Sequence, residues 1–389
     1  MRTPKSTSNA HLTYYLKAER NTGISQIVKP LIALLQFEKT TVTKGSLLCA
    51  TCMVLLFSSC QKGSLTEDTI VNSTSSSAAS ATANSTAGFL DGGKDNTINY
   101  GAFISPPGAW GGVPYQLSVA GKLGVSCLRA VTPVPDYDKP NALLGLGYDV
   151  LLNFDSNIDA YGDNSSFNES LEQYAADLTN ALLLCIAKPV VAVIENEESN
   201  PYFYAGSAAD YIRQLKVAIS VMHANGIKIT NGGITNTGLN YLVYRDFQRQ
   251  GKSDSAEQFR RLTNVQPNNY STQYRGAFVD SLLDAYKVLD LDYVNFHWKA
   301  TSPDTESLRE VINYQKKRSN KPIINNELGQ YDKDPNTLLA HVQLCTDMGM
   351  PYIIWYSPDQ NLGRKAMPLQ YSDASLTPTG MAYQAYLAQ

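Results

Sequence analysis

From residue 98 to the C-terminus the chain alternates short β-rich runs with amphipathic helical stretches, eight times over. The strand candidates are Ile98–Ile104, Val125–Val131, Asp149–Phe154, Val190–Ile194, Ile227–Thr230, Tyr293–Phe296, Pro322–Asn325 and Tyr352–Tyr356. Most are near-continuous apolar runs, as parallel strands covered on both faces must be. The helices between them carry legible starts and stops. In the fourth, Ser207 stands as a cap with Asp210 three residues on, and Asn225-Gly226 ends it. Tyr211, Ile212, Leu215, Ala218, Ile219 and Met222 trace its apolar face. In the seventh, Asp334-Pro335 supplies a cap and a proline at the first helical position; Leu338, Leu339, Val342 and Cys345 make its stripe, and Gly349 closes it. Eight such units in about 290 residues predict an α/β fold, a single closed (β/α)8 TIM barrel. A doubly wound open sheet would carry a Gly-rich phosphate turn after its first strand, and Tyr100-Gly101-Ala102-Phe103 is not one. The polar stretch Arg249–Asn269, between the fifth and sixth strands, reads as an insertion over one face.

The leader is of another kind. Residues 46–57 form an apolar run behind Lys44, ending in Ser58-Ser59-Cys60. The run is too short for a membrane span, which takes about twenty residues. A basic residue, a short apolar core and small residues before a cut site make a secretory signal. Cys60 after the small pair resembles a bacterial lipobox, whose cysteine is lipidated after cleavage; Phe57 stands where leucine is commoner. The competing reading of 46–57 is a buried apolar helix. No methionine lies between Met1 and Met53, so 1–41 is expected to be an upstream extension, with translation starting near Val42. A lipoprotein signal then covers 42–60, a disordered tether 61–95 and the barrel 96–389. Residues 72–88 are Asn, Ser, Thr, Ala and Gly only, with too little apolar area to offset backbone entropy. The expected location is the cell envelope, lipid-anchored on the periplasmic or outer-membrane surface of a bacterium.

Charge narrows the partners. The formal net charge is −3, but the first sixty residues carry seven Lys and Arg against two Asp and Glu. The body without them has 25 basic and 33 acidic groups, net −8. It offers no field for nucleic acid or anionic lipid, so membrane contact is expected through the lipid anchor alone. Cys127, Cys185 and Cys345 each lie among apolar neighbours and read as core packing. Tyrosine is over-represented, 24 against 11 Phe and 3 Trp, which suits a wet binding surface.

In such barrels chemistry sits at the carboxyl ends of the strands. Those ends carry Arg129, Asp155, Asn196-Glu197-Glu198, Asn231, His297-Trp298, Asn326-Glu327 and Trp355. The carboxylates after the fourth and seventh strands each follow an unbroken apolar run, a costly position unless they are paired or used.

These residues resemble clan A of the glycoside hydrolases, retaining enzymes on a (β/α)8 barrel. The matches are Val-Ile-Glu-Asn-Glu-Glu with Asn196 and Glu197, Ile-Ile-Asn-Asn-Glu-Leu-Gly with Glu327, Cys-Leu-Arg-Ala-Val with Arg129, Asn-Phe-His-Trp with His297, and Trp355. The resemblance spans 98–389 and implies Glu197 as acid/base, Glu327 as nucleophile, Arg129 steadying the nucleophile, and Trp355 flooring the sugar site. Two departures stand out. Glu198 replaces the proline usual after the acid/base, and Trp298 and Lys299 stand where a sixth-strand tyrosine is usual.

The chemistry needs a proton donor for the leaving oxygen and a carboxylate for the oxocarbenium-like centre. Glu327 must be ionised, which Arg129 favours; Glu197 must hold a proton, which a negative neighbour favours. Glu195 and Glu198 compete for the acid/base role. Strand parity puts Glu195 on the face of Glu197, where it would orient a neighbour, and turns Glu198 away if the strand continues that far. Arg129, Asn196, Asn231, His297, Trp298, Trp355 and Trp110 are the expected substrate-binding residues. Pro201-Tyr-Phe-Tyr204 could add subsites. The expected partner is an oligo- or polysaccharide, bound by a monomer, with no cofactor. A zinc hydrolase is disfavoured because His297 alone among the histidines lies at a strand end. The rival from another class is a carbohydrate-binding lipoprotein that kept the barrel without the reaction.

Overall fold

A computed structural model of the chain describes residues 97–107, 112–134, 143–156, 170–358 and 367–389, all within one unit, Phe89–Gln389. The expected signal, the lipidation site Cys60, the tether and Trp110 lie outside the described residues.

Eight parallel strands follow one another around the sheet: β1 (Asn99–Ile104), β2 (Cys127–Pro133), β3 (Asp149–Asp155), β4 (Val191–Ile194), β5 (Lys228–Asn231), β6 (Val294–Ala300), β7 (Ile323–Gln330) and β8 (Tyr352–Ser357). β1 pairs with both β2 and β8, the closure that defines a TIM barrel. Between β5 and β6 the ladder is replaced by a side chain. Asn231 Nδ2 donates to the Asn295 carbonyl at 2.8 Å and its Oδ1 accepts from the Asn295 amide at 2.7 Å, imitating the missing backbone pair. The Ile229 carbonyl, accepting from the Asp292 amide at 3.2 Å and the Tyr293 amide at 3.4 Å, and a bridge from Ile234 to Phe296 complete the seam.

The surrounding helices are α1 (Gly112–Leu123), α2 (Leu171–Leu184), α3 (Ala208–Ala224), α4 (Asn236–Arg249), α5 (Ser253–Thr263), α6 (Tyr270–Val288), α7 (Glu306–Ser319), α8 (Pro335–Asp347) and α9 (Pro378–Leu387). The expected starts hold. Ser207 and Asp210 form a reciprocal capping box on α3, and Asp334 caps α8 with Pro335 inside its first turn. The stretch expected as a loop insertion holds a helix, α5, in its middle, and the long α6 that follows packs its Val279, Leu282, Leu283 and Tyr286 into the outer core before the chain enters β6.

Two cores result. The larger lies between strands and helices; the smaller fills the lower barrel with Cys127, Leu151, Val191, Val193, Tyr293, Ile324, Tyr352 and Ile354. Alternation then dictates what stands above. Two residues on from Cys127 is Arg129, from Leu151 Asn153, from Tyr293 Asn295 and then His297, and from Ile354 Tyr356. The interior therefore turns from apolar to polar along the same strand faces, toward the carboxyl ends.

Part of the tyrosine surplus is architectural. Tyr174, Tyr204, Tyr211, Tyr286 and Tyr383 are all buried in the outer core. Tyr211 reaches the Ile194 carbonyl at 2.8 Å and Tyr383 the Gly101 carbonyl at 3.1 Å, so these rings fill the helix–barrel gap while their hydroxyls tether strand backbone.

Candidate active site

β4 stops at Ile194, where the chain takes a left-handed turn: Glu195 has φ 62° and Glu197 φ 47°. Such values are costly for residues with a Cβ and mark a backbone held by its surroundings. The turn overturns the parity expectation, because beyond Ile194 there is no strand to alternate. The acidic side chains of this turn consequently go three ways. Glu195 is buried away from the mouth, accepting from Gln214 Nε2 and from the Ser156 hydroxyl and amide. Glu198 is buried on another side, its Oε1 accepting from Asn231 Nδ2 at 2.7 Å and Tyr286 at 2.8 Å. Only Glu197, partly exposed, meets the barrel axis: its Oε1 lies 3.0 Å from His297 Nδ1 and its Oε2 accepts from Asn200 Nδ2 at 2.7 Å.

β6 and β7 run past their expected ends, to Ala300 and Gln330, and a register shift between them brings His297 opposite Glu327. One oxygen from Glu197, one from Glu327 and a nitrogen of His297 lie within 4.8 Å of one another. Glu327 is gripped on both oxygens. Arg129 Nη1 donates to Oε2 at 2.5 Å, and Lys299 Nζ donates to Oε1 at 2.9 Å and to the Glu327 carbonyl at 3.0 Å. Arg129 is itself fully committed, with Nε on Asn153 Oδ1 at 3.0 Å and Nη2 on Asn196 Oδ1 at 2.9 Å. Burial opposes ionisation of Glu327, but the charges of Lys299, His297 and Arg129 outweigh it and hold the carboxyl well below the usual range.

The proton on His297 can be placed by its neighbours. The Asn326 backbone amide must donate, so Asn295 turns its Oδ1 to it at 3.0 Å. Asn295 Nδ2 then donates to Asn326 Oδ1 at 2.7 Å, and that same oxygen receives His297 Nε2 at 2.9 Å. Nε2 therefore carries hydrogen, and Nδ1 faces Glu197 Oε1 at 3.0 Å.

Three other carboxyls and amines near this turn are shifted. Burial and the Asp155 charge push Glu195 well up. Burial, partly offset by Tyr286 and Asn231, pushes Glu198 up to about 7. Burial lowers Lys299, against the pull of Glu327.

The structure thus brings together Glu197, Glu327, Arg129, Asn196 and His297. It separates three of the expected binding residues. Asn231 is buried and directs its amide to Glu198 and β6 rather than to the mouth. Trp298 faces the outer core, because it sits one residue from His297 on an alternating strand. Trp355 faces the same core, fully buried, its indole donating to the Met367 carbonyl at 3.0 Å. The interior aromatic of β8 is the next residue, Tyr356, 5.6 Å from Phe103 of β1. Tyr204 is buried against Tyr211, leaving Tyr202 and Phe203 as the half-buried rings of that loop. Lys299 and Tyr356 were legible as inward positions from the same alternation that places His297 inward.

The triad Glu197, His297 and Glu327 has the composition of a divalent-metal site. It fits one poorly, since Arg129 and Lys299 already occupy both oxygens of Glu327 and would repel a dication.

The sequence matches no protein-family model, and no curated protein matches it. In structure the chain is similar to a family 39 glycoside hydrolase from the gut symbiont Bacteroides cellulosilyticus WH2, with TM-score 0.51 and 15% identity over 75% of this chain and 63% of that one. A GH128 (subgroup II) endo-β-1,3-glucanase from Sorangium cellulosum aligns with TM-score 0.49 and 15% identity, covering 74% of this chain and 98% of that one. A GH128 (subgroup VII) oligosaccharide-binding protein from Trichoderma gamsii aligns with TM-score 0.43 and 15% identity, covering 75% and 95%. At such identity the likeness to the family 39 structure establishes the barrel fold.

Proposed function

We propose that this chain hydrolyses O-glycosidic bonds of an oligo- or polysaccharide with retention, Glu327 acting as nucleophile and Glu197 as acid/base. The observation that carries the reading is the asymmetry of two carboxylates whose oxygens lie within 4.8 Å. One is locked in its ionised form by two cations. The other lies 3.0 Å from His297 Nδ1 and touches no lysine or arginine within ion-pair distance among the described residues. A separation of about 5–5.5 Å between the carboxyls suits direct attack, whereas an interposed water needs roughly 6.5–9.5 Å.

In the first step a Glu327 oxygen bonds to the anomeric carbon while the bond to the leaving oxygen breaks, and Glu197 gives that oxygen its proton. In the second, water attacks the same carbon, its proton passes to Glu197, and the Glu327 carboxylate departs. Asn196, fixed by Arg129, presents its amide at the mouth where a sugar hydroxyl would lie. His297, 3.0 Å away through Nδ1, orients the Glu197 carboxyl as it gives up its proton and takes one back.

The deciding experiment incubates the protein with activated 2-fluoro glycosides of several sugars and maps the labelled peptide. A label on Glu327 supports the reading. Saturable binding across a glycan panel, without turnover or label, would favour the carbohydrate-binding protein instead. We extend the proposal to location: the pattern at 46–60 supports lipid attachment at Cys60 and residence at the cell envelope. A native N-terminus with an unmodified Cys60 would overturn that part.

A further inference from the structure

The two cations on Glu327 each rest on an aromatic face. The Arg129 guanidinium carbon lies 4.6 Å from the Phe103 ring centre, and Lys299 Nζ lies 4.6 Å from that of Tyr356. The two rings in turn contact each other at 5.6 Å, tilted by 36°. Phe103 packs down onto the lower barrel core, so the pair stands on a rigid base. Through the β1–β8 ladder, Phe103 and Tyr356 are also direct backbone partners.

We propose that Phe103 and Tyr356 are positioning residues, an aromatic seat that presses Arg129 and Lys299 onto the two oxygens of Glu327. This rests on the hydrolase reading for its consequence in turnover, and on geometry alone for its consequence in charge. A desolvated ammonium or guanidinium is attracted to the negative face of a ring, and an aliphatic replacement supplies volume without that attraction. Lys299 depends on the seat most, because it is buried and Glu327 is its only carboxylate contact within ion-pair distance among the described residues. Arg129 has further anchors in Asn153 and Asn196. The inward place on β8, where a sugar floor was expected from Trp355, is therefore taken by a ring that serves a lysine.

The test measures Glu327 directly. Protein labelled with carboxyl-13C glutamate is titrated by NMR, the Glu327 signal being assigned by its loss in Glu327→Gln. Tyr356→Leu and Phe103→Leu are compared with Tyr356→Phe, which keeps the ring. Tyr356→Met serves if the leucine variant does not fold. The aliphatic variants should raise the Glu327 midpoint by about one unit, equivalent to a tenfold loss of preference for the charged form. Tyr356→Phe should leave it at the native value. On any glycan the native protein turns over, the aliphatic variants should lose about tenfold in kcat with KM near native, the size of one desolvated cation–π contact. An unchanged midpoint in a folded Tyr356→Leu protein overturns the proposal, as does a raised KM with native kcat, which would make Tyr356 a sugar platform. Absence of turnover on every glycan would count against the hydrolase reading and leave the titration to decide the seat.

Discussion

Lys299 Nζ lies 2.9 Å from Glu327 Oε1, so the carboxylate at the end of β7 carries a second cation beside Arg129. A neutral hydroxyl at this position could orient Glu327; a buried ammonium also fixes its charge. Lys299 lowers the Glu327 carboxyl, so Lys299→Met should raise it, and the acid limb of the pH–rate profile should move upward. The shift of the limb should be roughly 1–3 units, the effect of one ion pair on a carboxyl, and the loss of activity should be largest at acid pH and small near neutrality, where Glu327 stays ionised. The acid limb is measured by kcat/KM between pH 4 and 8; an unmoved limb would remove Lys299 from this role.

Glu197 and His297 should separate in leaving-group dependence. Glu197→Gln removes the proton donor, which is worth typically 10²–10⁴-fold in general acid catalysis. The loss should be large for a natural glycan and small for an aryl glycoside whose leaving group needs no proton. His297→Ala leaves Glu197 without the partner at Nδ1, and should show the same trend with a smaller amplitude. Equal losses on both substrate types would count against Glu197 as the acid.

The barrel and its strand order were legible because parallel strands in the sheet must be apolar on both faces, and eight such runs alternate with capped helices. Arg129 and His297 were legible because each keeps the two-residue alternation of its strand, where position implies direction. Glu327 stands in an irregular stretch of β7, where counting from Ile324 would turn it outward, and was legible only as a carboxylate after an unbroken apolar run. Legibility ended where the backbone left the strand. The left-handed residues Glu195 and Glu197 defeat period-two counting, and no local pattern announced them. For Trp298 and Trp355 the cause is different. Both stand on regular strands, and the same alternation that turns His297 and Tyr356 inward sends them into the helix layer. Parity, not residue type, sets the direction of both rings. Asn231 shows a third case, a strand-end polar residue whose duty is to close the sheet.

Trp355 should accordingly matter for stability and not for binding. Trp355→Phe removes the hydrogen bond to the Met367 carbonyl and leaves unfilled volume in the outer core. A loss of about 1–3 kcal/mol in unfolding free energy is expected from those two causes. KM for a hydrolysed glycan should stay native. A raised KM with native stability would return Trp355 to the sugar site.

Gly233 is a small residue with a catalytic consequence. Its φ is 114°, and a Cβ there would collide with His297 Nε2. Gly233→Ala should therefore displace the imidazole as well as strain the backbone. The expected result is loss of activity resembling His297→Ala, with a lowered melting temperature. Native activity in this variant would show that the ring has room to move.

Glu198 should make stability fall as pH rises. Its carboxyl is pushed from 4.5 up to about 7, chiefly by burial, and its Oε2 has no hydrogen-bond partner. Because the folded value lies above the unfolded one, the native state holds an extra proton between them. That contribution is complete below about 4.5 and is lost as pH rises through about 7. Glu198→Gln keeps the shape and the acceptor for Asn231 and Tyr286 but cannot ionise. The variant should match the native protein near pH 4.5 and exceed it near pH 8, by on the order of 2–3 kcal/mol at full effect. Urea unfolding at the two pH values measures the difference. A constant offset between the proteins at both pH values would mean that Glu198 does not titrate in this range.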